Sequence, residues 1–212
     1  MALTRVAKKA ELAAQEEMLR VFDRPTRFTI RSLAIRPATK ADLVSEVFFR
    51  HFAGKGTPAA KYLFPGVYGG PRRVKRFERA FRHHDILPAG MMAMPGEEAT
   101  MDRHGNMSAG QIVKILSYLR ASPDPTQNRG EGPGKGVRRN DRYFVGGTGR
   151  AKHFHPGIYM GGKKVVPVMS FGREARYQPV FAFHDVVRRS ADDNMEKEFD
   201  AAMRHAIATA KR

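Results

Sequence analysis

"PGIYMGGKKVVPVMSFG", Pro156 to Gly172, decides how this chain folds. Two runs rich in apolar and β-branched residues flank Gly161-Gly162-Lys163-Lys164. Short apolar runs separated by a glycine turn read as a β-hairpin, because glycine reaches the backbone angles that tight turns require. Upstream "RYFVG" (142–146) and downstream "PVFAFHD" (179–185) keep the same strand rhythm, so this half of the chain is expected to form three or four strands. Parallel strands need crossovers of about a dozen residues or more, usually helical. No such βαβ alternation occurs here, so the sheet is expected to be antiparallel and the class α+β.

Helices are predicted on both sides of these strands. In "TRVAKKAELAAQEEMLRVF", Val6, Ala10, Ala13, Met18 and Val21 fall at roughly helical spacing and Arg24-Pro25 ends the pattern, giving a helix over about 4–22. "TRFTIRSLAIRPATKADLVSEVFFRHF" turns to β-branched and aromatic residues with a turn at "PATK", a hairpin of about 27–36 with 42–50. "GKGTPAAKYLFPGVYGGP" (54–71) reads as loop, and Pro71 as the first residue of a helix with Val74, Phe77, Ala80 and Phe81 on one face. "GMMAMPGEEATMDRHGNM" (90–107) reads as a connector. Ser108 and Gln111 form an expected capping box for a helix bearing Ile112, Ile115, Leu116 and Leu119. In the closing helix Met195, Phe199, Ala202, Met203, Ala206, Ile207 and Ala210 share a stripe, with Asp192, Asp193 and Glu196 near its start and Lys211 and Arg212 at its end, as the helix dipole favours. Phe199 and Met203 are expected to be buried against the sheet or another helix. The whole reads as one domain, 1–212: an antiparallel sheet with N-terminal, central and C-terminal helices packed on it, and extended basic loops at about 51–71, 88–107 and 122–141.

Composition narrows the chemistry. The 212 residues carry 38 Lys and Arg against 21 Asp and Glu, a formal net charge of +17, which favours polyanionic partners or an acidic neighbour. With no cysteine, disulfides and thiolate metal or redox sites are excluded. The first residues carry charge every few positions, so no signal peptide is expected, and no run approaches the ~18 apolar residues of a membrane span. Neither "GKGTPAAK" nor "GEGPGKGVRR" completes a phosphate loop, since the Ser or Thr that would hold Mg²⁺ is missing. His83, His84, His153 and His155 lack the matched third ligand of a metal site, and Ser170 lacks the nucleophile elbow. No catalytic residue, metal or cofactor is expected. Two basic clusters remain, Arg72, Arg73, Lys75, Arg76, Arg79 and Arg82, and the later run with Arg138 and Arg139. Such clusters neutralise phosphates without reading bases or face an acidic partner. Beside them stand Tyr62, Phe64, Val67, Tyr68, Met91, Met92 and Met94, candidates for subunit contact because aromatics and thioethers suit irregular apolar interfaces.

The ordered set "PTRFTIRSLAIRPATKADLVSEVFF", "YLFPGVYGGPRRVKRFERAF", "ILPAGMMAMPG", "DRHGNMSAGQIVKILSYLRA", "HPGIYMGGKKVVPVMSF" and "FDAAMRHAIATAKR" resembles proteins of tailed phages and prophages. The family is that of tail-completion, minor tail protein Z-like and head-tail neck proteins, and the resemblance runs from about residue 22 onward. It implies a non-enzymatic structural virion protein that forms a ring and joins tail to head. The implied partners are other copies of the chain, portal or connector proteins, tail-tube or terminator proteins, and genome DNA passing through the lumen. It implies no membrane and no cofactor, synthesis in the host bacterial cytoplasm, and a place at the head-tail junction or in the tail. On that reading "YLFPGVYGG" is a subunit joint. The alternative from another class is a stand-alone basic protein that binds nucleic acid without sequence preference, and a nucleotide-handling enzyme is a third.

Overall fold

The computed structural model describes residues 2–54, 56–128, 142–174 and 176–210, with the side chain of Arg142 excepted. The class is α+β, as expected. Where a single domain over 1–212 is the expectation from sequence, the chain divides into two compact units, 1–72 with 176–212, and 73–175.

The first unit grows from α1, Ala2–Val21, whose buried face is Ala2, Val6, Ala7, Ala10, Ala14 and Met18. Alanine favours the helix and leaves little bulk on its surface, so a second helix can lie close against it. That helix is α6, Phe183–Thr209. Lys9 Nζ donates to Asn194 Oδ1 at 3.0 Å and pairs with Glu198 at 2.8 Å, while Arg5 reaches the same carboxylate at 3.8 Å. The Lys9 hydrogen bond is the main cause holding the Glu198 carboxyl below its ordinary value. A carboxyl lowered on folding adds stability above its unfolded pKa, and that contribution is lost as pH falls through the folded one.

After α1 comes one helical turn, α2 (Arg27–Ile30), started by Thr26, whose hydroxyl accepts from the Thr29 N–H at 3.1 Å. Strands β1 (Leu33–Arg36) and β2 (Glu46–Phe49) follow as an antiparallel pair, Leu33 opposite Phe49 and Arg36 opposite Glu46. Helix α3, Ala59–Tyr68, leads to β3 (Gly70–Pro71), which pairs with β8 (Arg176–Tyr177) where the chain returns to this unit. The core joins Ala14, Met18, Leu33, Ala59, Leu63, Phe181 and Phe183. At its centre Phe181 meets Phe22, Phe49 and Phe183 at steep interplanar angles, with centroid separations of 5.7, 6.3 and 5.8 Å.

The second unit carries α4 (Arg76–His83), β4 (Met91–Pro95), α5 (Ala109–Tyr118), β5 (Arg142–Gly146), β6 (Gly157–Gly161) and β7 (Val166–Arg173). The strands form one antiparallel sheet in the order β4-β7-β6-β5. The predicted "GGKK" hairpin is β6–β7, with a register shift at Ile158/Tyr159. Phe81 of α4 and Ile115 and Leu116 of α5 pack with Ile158, Val168 and Phe171 of the sheet.

Several expectations are corrected. Residues 27–30 are helical, because the Thr26 cap starts a turn there, so the first hairpin keeps only β1 and β2. The 54–71 loop contains α3. Pro65 withdraws a donor inside that helix, yet Ala59, Leu63 and Pro65 are all buried, and burial prevails. Pro71 lies in β3 and the arginine helix starts at Arg76. The 88–107 connector contains the edge strand β4. "PVFAFHD" is no strand: Phe181 and Phe183 are buried in one core and α6 starts at Phe183. That start puts Asp185 in the first turn and leaves Asp192, Asp193 and Glu196 well inside the helix. The Ser108 side chain makes no cap bond, and Gln111 Oε1 instead accepts from the Thr100 N–H at 2.7 Å. Of the loop 122–141, residues 129–141 lie outside those described, and Pro125–Gln127 form a short 3-10 turn. Finally Phe199 is 48% and Met203 60% exposed. The face of α6 that carries Asn194 and Glu198 is the one laid on α1, which leaves the apolar stripe uncovered.

Phe181→Ala should lower stability by about 3–5 kcal/mol in urea unfolding, whereas Phe199→Ala should change it by no more than about 0.5 kcal/mol. Equal losses would show that the stripe is covered within the folded chain.

Candidate functional site

The candidate contact residues fall into two sets. On α3, Tyr62 donates to or accepts from Thr29 Oγ1 at 2.9 Å, and burial pushes its phenol up while that bond offsets part of the rise. Val67 packs against the unit's own core. Phe64 and Tyr68 are more than half exposed and sit ring to ring at 4.7 Å, with Tyr68 Oη 2.8 Å from His184 Nε2. The outward surface of "YLFPGVYGG" is therefore the Phe64–Tyr68 pair together with Tyr62, which is also exposed. In the other unit, Met91 packs against the core and Met94 is exposed, but Met92 is 3% exposed. Met92 lies on the Met94 side of β4, opposite the core-packed Met91 and Ala93, yet it is buried and its thioether is not presented outward.

The arginines divide in the same way. Arg72 is half-buried at the end of the first unit's leading segment. Arg73, Lys75, Arg76 and Arg79 are exposed at and along α4. Arg82 is half-buried and its Nη2 donates to the Met91 carbonyl at 2.7 Å, tying α4 to β4. Its Nε is buried without a hydrogen-bond partner among the described residues. Arg82 is thus a clamp within the unit and a poor phosphate contact. Arg138 and Arg139 lie outside the described residues.

Glu78 escaped the sequence reading. It is fully buried, its Oε2 accepts the Lys75 N–H at 2.6 Å and its Oε1 accepts the Ala93 N–H at 2.9 Å. The first bond satisfies a donor at the start of α4, and the second fixes the edge strand beside it. A glutamate three residues after the residue preceding a helix is a start signal. Taking Pro71 as the start hid it.

An uncovered apolar stripe runs along α6. Met195, Phe199, Met203 and Ile207, four residues apart, are 36%, 48%, 60% and 69% exposed, and every described residue after Ala202 is exposed. Asp192, Asp193, Glu196 and Asp200 make this the acidic part of a basic chain. Among the described residues no three His, Asp or Glu side chains are placed to share a metal ion, and no helix is long and apolar enough to cross a membrane. His83 and His84 are exposed neighbours with ring centroids 5.2 Å apart, and Ser170 is exposed on β7. No protein-family model matches the chain, and neither the curated proteins nor the solved structures give a significant match.

Replacing Glu78 with Ala leaves two inward backbone donors without their carboxylate and should destabilise the protein by at least about 2 kcal/mol in denaturant titration. Arg79→Ala, on the exposed side of the same helix, should stay within about 0.5 kcal/mol of the parent.

Proposed function

We propose that this chain is a non-enzymatic structural virion protein of a tailed bacteriophage, a head-tail connector, neck or tail-completion protein that joins tail to head in a ring with other copies of itself. The observation that carries the reading is the uncovered apolar stripe of α6. Helical segments draw most of their stability from packing an apolar face, and a contiguous exposed apolar patch marks a surface made for a partner. The Phe64–Tyr68 pair is a second such patch. Tyr68 is bonded to His184 in the first turn of α6, and the stripe begins at Met195, roughly 16 Å farther along at the helical rise. Two different patches on one subunit suit a head-to-tail contact, the kind that closes rings. The acidic flank of the stripe also suits a basic neighbour, and other copies of this chain are strongly basic. Portal or connector proteins and tail-tube or terminator proteins are the other partners of this reading.

A second reading, a stand-alone protein that binds nucleic acid without sequence preference, is favoured by Arg73, Lys75, Arg76 and Arg79, all exposed at one helix. Its affinity for duplex DNA would fall with salt at a log-log slope of about −0.9 per phosphate neutralised.

Phe199→Glu with Met203→Glu should leave the isolated protein folded, since both side chains are exposed, and should remove it from purified particles, as read by gel and by electron microscopy of the neck. Normal incorporation of the double variant overturns the stripe as the assembly surface. Absence of the parent chain from particles, together with salt-dependent DNA binding, favours the second reading.

A further inference from the structure

Between α2 and the sheet of β1 and β2 lies an open cavity of about 830 Å³, a volume typical of small-ligand sites. Arg27, Arg31 and Arg50 line it together with Phe28, Phe48 and Phe52, and among the described residues no Asp or Glu does. No side-chain hydrogen bond or ion pair engages these three guanidiniums among the described residues. Phe28 is 51% and Phe52 82% exposed. Gathering three cations without a counterion is unfavourable through mutual repulsion, and large exposed aromatic faces bring no stability to the isolated chain.

One ligand class satisfies both features. A guanidinium holds phosphate through paired hydrogen bonds, and the face of a phenylalanine takes a nucleobase by stacking whatever the base. A purely apolar partner would cover the rings but strip water from unpaired guanidiniums at high cost. A simple anion would use the arginines and leave the rings idle. We propose that this cavity is a nucleotide site, holding phosphates on Arg27, Arg31 and Arg50 and an unstacked base against Phe28 or Phe52. Single-stranded nucleic acid and free nucleotides share this chemistry. Duplex bases, stacked on one another, cannot reach the rings. The site belongs to the first unit and α4 to the second, and the inference does not rest on the virion reading.

The test is fluorescence anisotropy of the full chain with labelled oligothymidylate of about 12 nucleotides, a duplex of equal length and adenosine diphosphate, at ~0.15 M salt. The strand should bind more tightly than the duplex. Phe52→Ala, an exposed substitution checked for folding by circular dichroism, should weaken strand binding about fivefold or more. Arg31→Glu should weaken it and flatten its salt dependence by about 0.7 in log-log slope for each phosphate that is no longer neutralised. An affinity that grows with chain length identifies the polynucleotide as the ligand, and diphosphate competing equally well at the nucleotide level identifies the free nucleotide. Binding indifferent to Phe52→Ala and equal for duplex and strand overturns the proposal, as does no binding, or Phe52-dependent binding of an oligoglutamate in place of nucleotides.

Discussion

The Gly66 carbonyl is the point on which the first unit turns. This unit is assembled from two pieces of chain separated by the whole of the second, so its core exists only if the returning segment is seated in register. Near the end of α3 the carbonyl of Gly66 is among those the helix leaves without an intrahelical donor. It accepts both the Val180 N–H at 2.8 Å and the Phe181 N–H at 2.9 Å. Those two bonds drop Phe181 among Phe22, Phe49 and Phe183 and set where α6 begins. A Cβ at residue 66 would stand 3.1 Å from Cε1 of Phe22, so a larger residue there would press on that ring. Gly69, at a backbone φ of +76°, then turns the chain from α3 into the short ladder with β8.

Because α6 is anchored at Phe183 and laid on α1 through Asn194 and Glu198, the fate of its other face is decided at the anchor. A helix fixed in azimuth by two contacts cannot rotate to bury a stripe on another side. Met195, Phe199, Met203 and Ile207 are therefore presented outward by the same packing that stabilises the helix. This links the core of the unit to its proposed assembly role: the contacts that hold α6 also aim its apolar stripe.

The second unit rests on a different device. Glu78 is an acidic side chain with no exposure on which two backbone donors converge, and it joins a helix start to an edge strand that ends at Pro95. Arg82, one turn along, makes a parallel bond to Met91. With Glu78 and Arg82 turned to β4 and Phe77 and Phe81 to the core, Arg76 and Arg79 are left on the outer side of α4. The basic face is thus a consequence of how the helix is held, and it stays open to an acidic or phosphate partner.

By itself the sequence determined α1, α5, the α6 stripe, the β1–β2 pairing, the "GGKK" hairpin and the α+β class, because each follows from local periodicity and turn chemistry within a few residues. It also exposed the basic runs and the lack of thiol chemistry. What it could not show depends on partners distant along the chain. Helix α3 persists despite Pro65 because Leu63 and Ala59 reach a core completed by Phe181. Residues 91–95 become a strand because β7 and Glu78 supply their bonds. Phe181 and Phe183 support a core with no strand partner. Phe199 and Met92 exchange their expected places, one outward and one inward, because amphipathic spacing says that a face exists but not which neighbour takes it. Only the tertiary structure, where α1 covers one side of α6 and Met92 is buried on the same face of β4 that leaves Met94 exposed, makes that choice.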